Sequence, residues 1–104
     1  MKILVVANDI NVLSKIYLAL VHRSYKAIAL DKPEEIAEKI KKLKPSLIIV
    51  GMKDYLLIKN KLKIPAIIMM EKEEAPLNEG SDIVFLQKPV QLEMLIKTVK
   101  ELTI

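Results

Sequence analysis

The segment "KILVVAND", residues 2–9, is an apolar run that reaches Asn8 and Asp9 without any alternation of apolar and polar side chains. A strand with one face in solvent alternates, so this run predicts a strand that is buried on both faces. Such strands occur in parallel sheets that are covered by helices on both sides. Further buried strands are predicted at residues 47–50, 66–70 and 83–86, and a short edge strand at residues 25–30.

The segments between these runs have helical periodicity. We expect Asn11 to cap a first helix, whose apolar side chains recur at three- and four-residue spacing. These side chains are Leu13, Ile16, Tyr17 and Leu20. In the second helix, Asp31 and Glu34 resemble a capping box, and Pro33 lies in the first turn.

The remaining segments are a short third helix at residues 54–62, a loop at residues 71–80 that contains Pro76 and Gly80, and a final helix after Pro89. The apolar face of the final helix is formed by Leu92, Leu95, Ile96, Val99 and Leu102. Strands and helices therefore alternate, which predicts an α/β fold. Because crossovers between parallel strands are right-handed, we expect one domain over residues 1–104, with five parallel strands in the order 2-1-3-4-5.

Composition excludes several classes of protein. The chain has 104 residues, of which 52% are hydrophobic and 29% charged, a balance typical of a globular domain. It contains no Cys and one His, so disulfides, thiolate zinc sites and cysteine nucleophiles are excluded, and a histidine metal site is not expected. No apolar run is long enough for a membrane span, and we expect neither a signal peptide nor a location outside the cytoplasm. The Lys- and Glu-rich composition would also suit a thermophile.

The net charge of +4 conceals an asymmetry between two parts of the chain. Residues 1–65 contain 13 basic and 6 acidic residues, and residues 66–104 contain 4 and 7. Sixteen of the 17 basic residues are Lys and only four residues are aromatic, whereas nucleic-acid sites favour Arg and aromatic stacking. We interpret the lysines as solvated surface and do not expect a nucleic-acid partner. Steeply salt-dependent binding to DNA would support the alternative.

In a sheet of this topology, sites lie beyond the carboxyl ends of the strands. The candidate positions are residues 7–9, 51–52, 70–71 and 87–89. The two glycines, Gly51 and Gly80, form neither a phosphate-binding loop nor a dinucleotide fingerprint. No Ser lies in the context of a hydrolase nucleophile, and His22 is expected near the end of a helix, away from the strand ends.

Over essentially its whole length the chain resembles the receiver domains of two-component response regulators, which have the flavodoxin-like strand order. The segments that carry the resemblance are "KILVVAND", "KPSLIIVG", "IPAIIMME" and "SDIVFLQKPV". The resemblance implies that Lys88 and Pro89 correspond to the family's Lys and cis-Pro. It also implies that Phe85 corresponds to the family's switch aromatic residue.

The same resemblance places unsuitable residues at the phosphorylation pocket. The family's acid pair falls on Ala7 and Asn8, which leaves Asp9 as the nearby carboxylate. The phosphoacceptor Asp falls on Gly51, and the Ser or Thr on Met70. Phosphotransfer requires a carboxylate nucleophile and oxygen ligands for Mg²⁺, so we predict a degenerate pocket that neither binds metal nor acts as an enzyme. No cofactor is expected.

Several alternatives remain open. Asp54 could act as a displaced phosphoacceptor, or the domain could bind a small ligand at the strand ends, although the first loop lacks the Gly or Ser/Thr residues that usually hold phosphates. Lys88 either projects into solvent or pairs with Asp9. Phe85 is either core or a switch, and Asn8 could be no more than a turn residue.

The expected partner is a protein. The third helix is short and residues 71–80 form no helix, so the strands at residues 66–70 and 83–86 should be poorly covered on one face. A second copy or another protein would then cover that face. The alternative is an ordered loop in which Ala75 and Leu77 fill it.

Overall fold

The computed structural model describes residues 1–77, 79–80 and 82–103. The elements in chain order are strand β1 (Lys2–Val6), helix α1 (Ile10–His22), strand β2 (Lys26–Leu30), a 3-10 turn (Pro33–Glu35), helix α2 (Ile36–Leu43), strand β3 (Leu47–Gly51), helix α3 (Met52–Ile58), strand β4 (Ala66–Met70), strand β5 (Ile83–Gln87) and helix α4 (Leu92–Thr103). No helix in these described ranges is long and apolar enough to cross a membrane.

The five strands form one parallel sheet in the order β2-β1-β3-β4-β5. The predicted fold class, strand order and edge position of β2 are therefore confirmed. The central strands are buried along both faces because their side chains point alternately into two separate apolar layers. This double burial is the reason that the strand sequences show no polar alternation.

The two layers are built from alternate residues of the same strands. Ile49 and Ile67 lie in the layer between the sheet and helices α1 and α4. Ile48 and Ile68 lie in the layer beneath α2 and α3. Helix α4 contributes Leu95, Ile96 and Val99 to the first layer, as predicted, whereas Leu92 is exposed.

Three helix starts differ from the sequence predictions. Asp9, not Asn11, caps α1, and its carboxylate accepts from the backbone N–H groups of Asn11 and Val12. The predicted capping box of Asp31 and Glu34 does not form, since a 3-10 turn capped by Lys32 without a side-chain hydrogen bond precedes α2. Helix α3 begins at Met52, directly after β3, and not at residue 54.

The described residues between β4 and β5 contain no helix, as predicted. Ala75 is exposed and Leu77 is 38% exposed, so the alternative in which these side chains fill the sheet face is wrong. The predicted exposure of β4 is also wrong, because every residue of β4 is buried and α3 covers the relevant face. Strand β5 is half-buried from Ile83 to Leu86, so of these two strands only β5 is incompletely covered.

Candidate functional site

A cavity of about 370 Å³ opens at the carboxyl ends of β1, β3, β4 and β5. Parallel strands end at the same edge of a sheet, so residues that are distant in the chain meet there. The side chains and backbone that line the cavity belong to Val6, Ala7, Asn8, Asp9, Val12, Gly51, Met52, Lys53, Asp54, Met69, Glu71, Glu74 and Lys88. Five of the six pocket residues inferred from the sequence are thus brought together, namely Ala7, Asn8, Asp9, Gly51 and Lys88.

Gly51 lies where β3 meets α3 and has a φ of −74° and a ψ of 159°. This is ordinary extended backbone, which any residue can adopt. A Cβ atom added at Gly51 would meet no heavy atom within 4 Å outside its chain neighbours. Neither torsion nor crowding requires glycine here, and a side chain at this position has room beside the cavity.

The sixth inferred residue, Met70, does not line the cavity. Its side chain is buried in the layer beneath α3, whereas Met69 lines the cavity. The sheet register explains the difference, because Gly51 of β3 is the partner of Met69 in β4 and neighbouring partners share a face.

The Asp9 carboxylate lies just beyond the carboxyl end of β1, where it is bonded to the start of α1. One Asp9 oxygen accepts from the Asn11 N–H at 2.9 Å and the Val12 N–H at 3.4 Å. These bonds satisfy N–H groups at the helix terminus that have no partner within the helix. Asp9 therefore acts as a structural cap and does not pair with Lys88.

Lys88 pairs instead with Glu71, the first residue after β4. Lys88 Nζ donates to Glu71 Oε1 at 2.8 Å, and both side chains are partly exposed. The prediction that Lys88 either projects into solvent or pairs with Asp9 is therefore wrong. Glu74 fixes the same turn, since its Oε1 accepts from the Glu71 N–H at 2.6 Å. The peptide bond between Lys88 and Pro89 is cis, as the resemblance implied.

Asp54 and Lys53 lie in the first turn of α3 and border the cavity. Burial raises the pKa of Asp54 above its ordinary value, and the nearby negative charge of Glu34 raises it further. Within the described part of the chain, no group of three or more His, Cys, Asp or Glu side chains is arranged to hold a metal ion. With Asp9 and Glu71 already bonded, the residues present do not fit Mg²⁺, which prefers several oxygen ligands in near-octahedral geometry.

Phe85 belongs to an aromatic pair in the layer beneath α3. Its ring meets that of Tyr55 edge to face, with 6.2 Å between the centroids and 84° between the planes. Burial raises the pKa of Tyr55 most, and the Glu79 carboxylate raises it further through its charge and a hydrogen bond. The positive charge of Lys59 lowers this pKa and partly offsets the increase. Lys59 Nζ also pairs with Glu79 Oε1 at 3.0 Å. Phe85 is thus a packed, half-buried residue of the layer beneath α3.

Position 71 was predicted as a strand end, but neither the pairing of Glu71 with Lys88 nor the presence of Glu74 at the site was predicted. A cluster of acidic residues directly after a buried strand was the available signal. Lys53 and Asp54 were also outside the predicted pocket, because α3 was placed two residues too late.

No protein-family model matches the sequence, and no curated protein does. Solved structures do match. The receiver domain of Francisella response regulator 1452 has a TM-score of 0.83 at 20% identity, over 97% of this chain and 94% of that chain. A response regulator receiver protein from Burkholderia phymatum has a TM-score of 0.78 at 19% identity, over 97% and 93%. The signal receiver domain of a Bermanella marisrubri response regulator has a TM-score of 0.76 at 17% identity, over 99% and 98%. The chain therefore has the receiver-domain fold.

Proposed function

We propose that this domain is a pseudo-receiver, a receiver-fold module of two-component signalling that binds proteins without being phosphorylated. The observation that carries the proposal is Gly51, which lies beside the cavity at the phosphoacceptor position and offers no side chain. A phosphoryl group can be accepted by a carboxylate, and glycine has none. The proposed role is signalling by contact in the cytoplasm, with no enzymatic activity.

The surrounding residues support the same conclusion. Asp9 is bonded to the start of α1, and the ammonium group of Lys88 is bonded to Glu71. In a phosphorylated receiver, the resemblance assigns this Lys a role beside the modified Asp. Here the Glu71 carboxylate pairs with it, so in this arrangement the Lys88 ammonium group is already bonded and is not directed at an incoming phosphoryl group.

A phosphorylation assay tests the proposal. The purified domain is incubated with a small phosphodonor and Mg²⁺, and its intact mass is measured. We expect no added phosphoryl group. A stoichiometric gain on any Asp of the unmodified domain would overturn the proposal.

A second set of variants tests the assignment of positions. Ala7→Asp, Asn8→Asp, Gly51→Asp and Met69→Thr together supply the missing groups, since Met69 and not Met70 lines the cavity, and Glu71→Gln removes the carboxylate that pairs with Lys88. We expect this variant to gain a measurable label, whereas Gly51→Asp alone should gain little because the metal carboxylates are still missing. The matched control carries Gly51→Asn in the same background, which keeps the shape but removes the nucleophile. A folded variant that stays unlabelled would show that these residues do not correspond to the phosphorylation pocket of receiver domains.

Asp54 supports a second candidate function, because it borders the cavity three residues beyond Gly51. In this alternative the domain is an atypical receiver that is phosphorylated on Asp54. A label on the unmodified domain that disappears in Asp54→Asn would establish it. The position of Asp54 within α3, beyond the strand end, favours the pseudo-receiver.

A further inference from the structure

Helix α1 has two apolar faces, although a helix on the surface of a domain normally needs one. The first face packs on the sheet through Leu13, Ile16 and Leu20. At about 100° per residue, a second set of side chains falls within an arc of about 100° on the outer flank. This set, which we call the α1 stripe, consists of Ile10, Ser14, Tyr17, Leu18 and Val21.

The α1 stripe is open to solvent in the isolated domain. Ile10 is 59% exposed, Leu18 53% and Val21 44%. Between the stripe and the exposed Ala29 of the edge strand β2 lies a shallow cavity of about 240 Å³ with a largely apolar lining. Scattered exposed apolar residues are ordinary, but a continuous stripe along a helix marks an interaction surface.

The spacing of the α1 stripe matches another helix of the same kind. Residues 10, 14, 17 and 21 are separated by four, three and four positions, which is the spacing of a coiled-coil seam. When two copies of α1 run antiparallel about a two-fold axis, Ile10 of one copy lies opposite Val21 of the other. Ser14 then lies opposite Tyr17, which pairs a small residue with a large one.

The charges at the ends of α1 favour this antiparallel arrangement. The carboxylate of Asp9 is exposed at the amino end, and the guanidinium of Arg23 is exposed just beyond the carboxyl end. Antiparallel pairing places the acidic end of each helix beside the basic end of the other. It also places opposite ends of the two helix dipoles together. Lys15, the lysine within α1, lies about 115° from the centre of the stripe, on the solvent side.

We propose that α1 is the interface of a symmetric homodimer, in which the α1 stripe of one copy packs antiparallel on that of a second copy. This inference deepens the protein-binding role proposed above by identifying a partner and a surface. A two-fold interface of this kind closes on itself and gives a dimer without further growth. Helix α1 is about 20 Å long, so the interface is smaller than the roughly 1,200 Å² of stable complexes, and the dimer is weak and concentration-dependent.

Sedimentation over a range of concentrations tests the dimer directly. We expect self-association with a dissociation constant of tens to hundreds of micromolar. Leu18→Lys places a charge in the α1 stripe, beside the seam, without disturbing the core, and should weaken association at least about tenfold. Leu57→Lys on α3 is the matched control, since Leu57 is more exposed than Leu18 and lies outside the stripe. A monomer at all concentrations, or equal effects of both variants, would overturn the proposal.

Cysteine cross-linking tests the orientation, because the chain has no other Cys. Ile10→Cys and Val21→Cys proteins are mixed and oxidised. Antiparallel pairing gives mainly the mixed 10–21 disulfide, whereas parallel pairing gives the two homodisulfides and would overturn the geometry. Arg23→Glu should weaken the dimer, and salt should reduce the difference between this variant and the unmodified domain. These outcomes are independent of the phosphorylation assay, so the failure of one proposal does not imply the failure of the other.

Discussion

The ammonium group of Lys88 lies 2.8 Å from the carboxylate of Glu71, across the ends of two adjacent strands. Glu71 directly follows β4 and Lys88 directly follows β5, so the pair joins the end of the inner strand to the end of the edge strand. Both residues line the cavity, and their pairing offsets the charge of Lys88 there. The pair should contribute little to the free energy of unfolding, because both side chains are partly exposed.

Removing this pair should change stability little. Glu71→Gln and Lys88→Met are each expected to alter the free energy of unfolding by about 0–1 kcal/mol, because solvent screens partly exposed ion pairs. A double-mutant cycle from urea denaturation measures their coupling, and added salt should reduce it. A coupling of several kcal/mol would show that the pair is a main structural contact.

Tyr55 should make stability fall at alkaline pH. Burial and the Glu79 carboxylate raise its pKa in the folded protein above the ordinary value of 10.0. The stability that this group contributes is complete below the unfolded pKa and is lost as pH rises through the folded pKa. Urea denaturation from about pH 9 to 11 should show this loss in the unmodified domain and a smaller one in Tyr55→Phe. Identical pH profiles would contradict the assignment.

Asp54 should make the domain sensitive to pH in the acidic range. Burial and Glu34 raise the pKa of its carboxyl above the ordinary value of 3.8. Its contribution to stability is present below the unfolded pKa and is lost as pH rises through the folded pKa. The stability of Asp54→Asn relative to the unmodified domain should therefore increase from about pH 3 to pH 7. Glu34→Gln removes the second cause and should reduce this dependence, whereas an unchanged difference at every pH would refute it.

Truncation of two adjacent residues of α4 should change stability to very different extents. Leu95 is fully buried between α4 and the sheet, whereas Met94 is exposed. Leu95→Ala should cost about 2–5 kcal/mol, because it removes buried methyl groups and leaves a cavity. Met94→Ala should change stability by less than about 0.5 kcal/mol. Equal shifts of the two urea midpoints would show that α4 is rotated from the described position.

The strands were predictable because double burial produces continuous apolar runs. The predicted bounds of β4 agree with the structure at both ends, and those of β3 and β5 differ by one residue. The helix starts were less predictable. Asp9 and Asn11 are both suitable capping residues and lie two positions apart, and only the path of the backbone decides which side chain reaches the free N–H groups.

The position of the candidate site was predictable because parallel strands end at one edge. Its bonds were not. Asp9 and Glu71 are both carboxylates at strand ends, and the sequence does not show that one already caps a helix while the other is within reach of Lys88. The distinction between Met69 and Met70 depends on the register of β4 against β3, which places Met69 on the face of Gly51.

The connection between β4 and β5, which has no helix among its described residues, also affects how the sheet opens. Strand β5 pairs with β4 alone, and four of its five residues are only half-buried, whereas β4 is buried throughout. At this side of the sheet, local opening should therefore begin at β5, whose amide hydrogens should exchange with solvent before those of β1, β3 and β4. The domain thus combines a labile edge with a stable centre. A fluctuation that releases β5 would leave four strands of the sheet still paired.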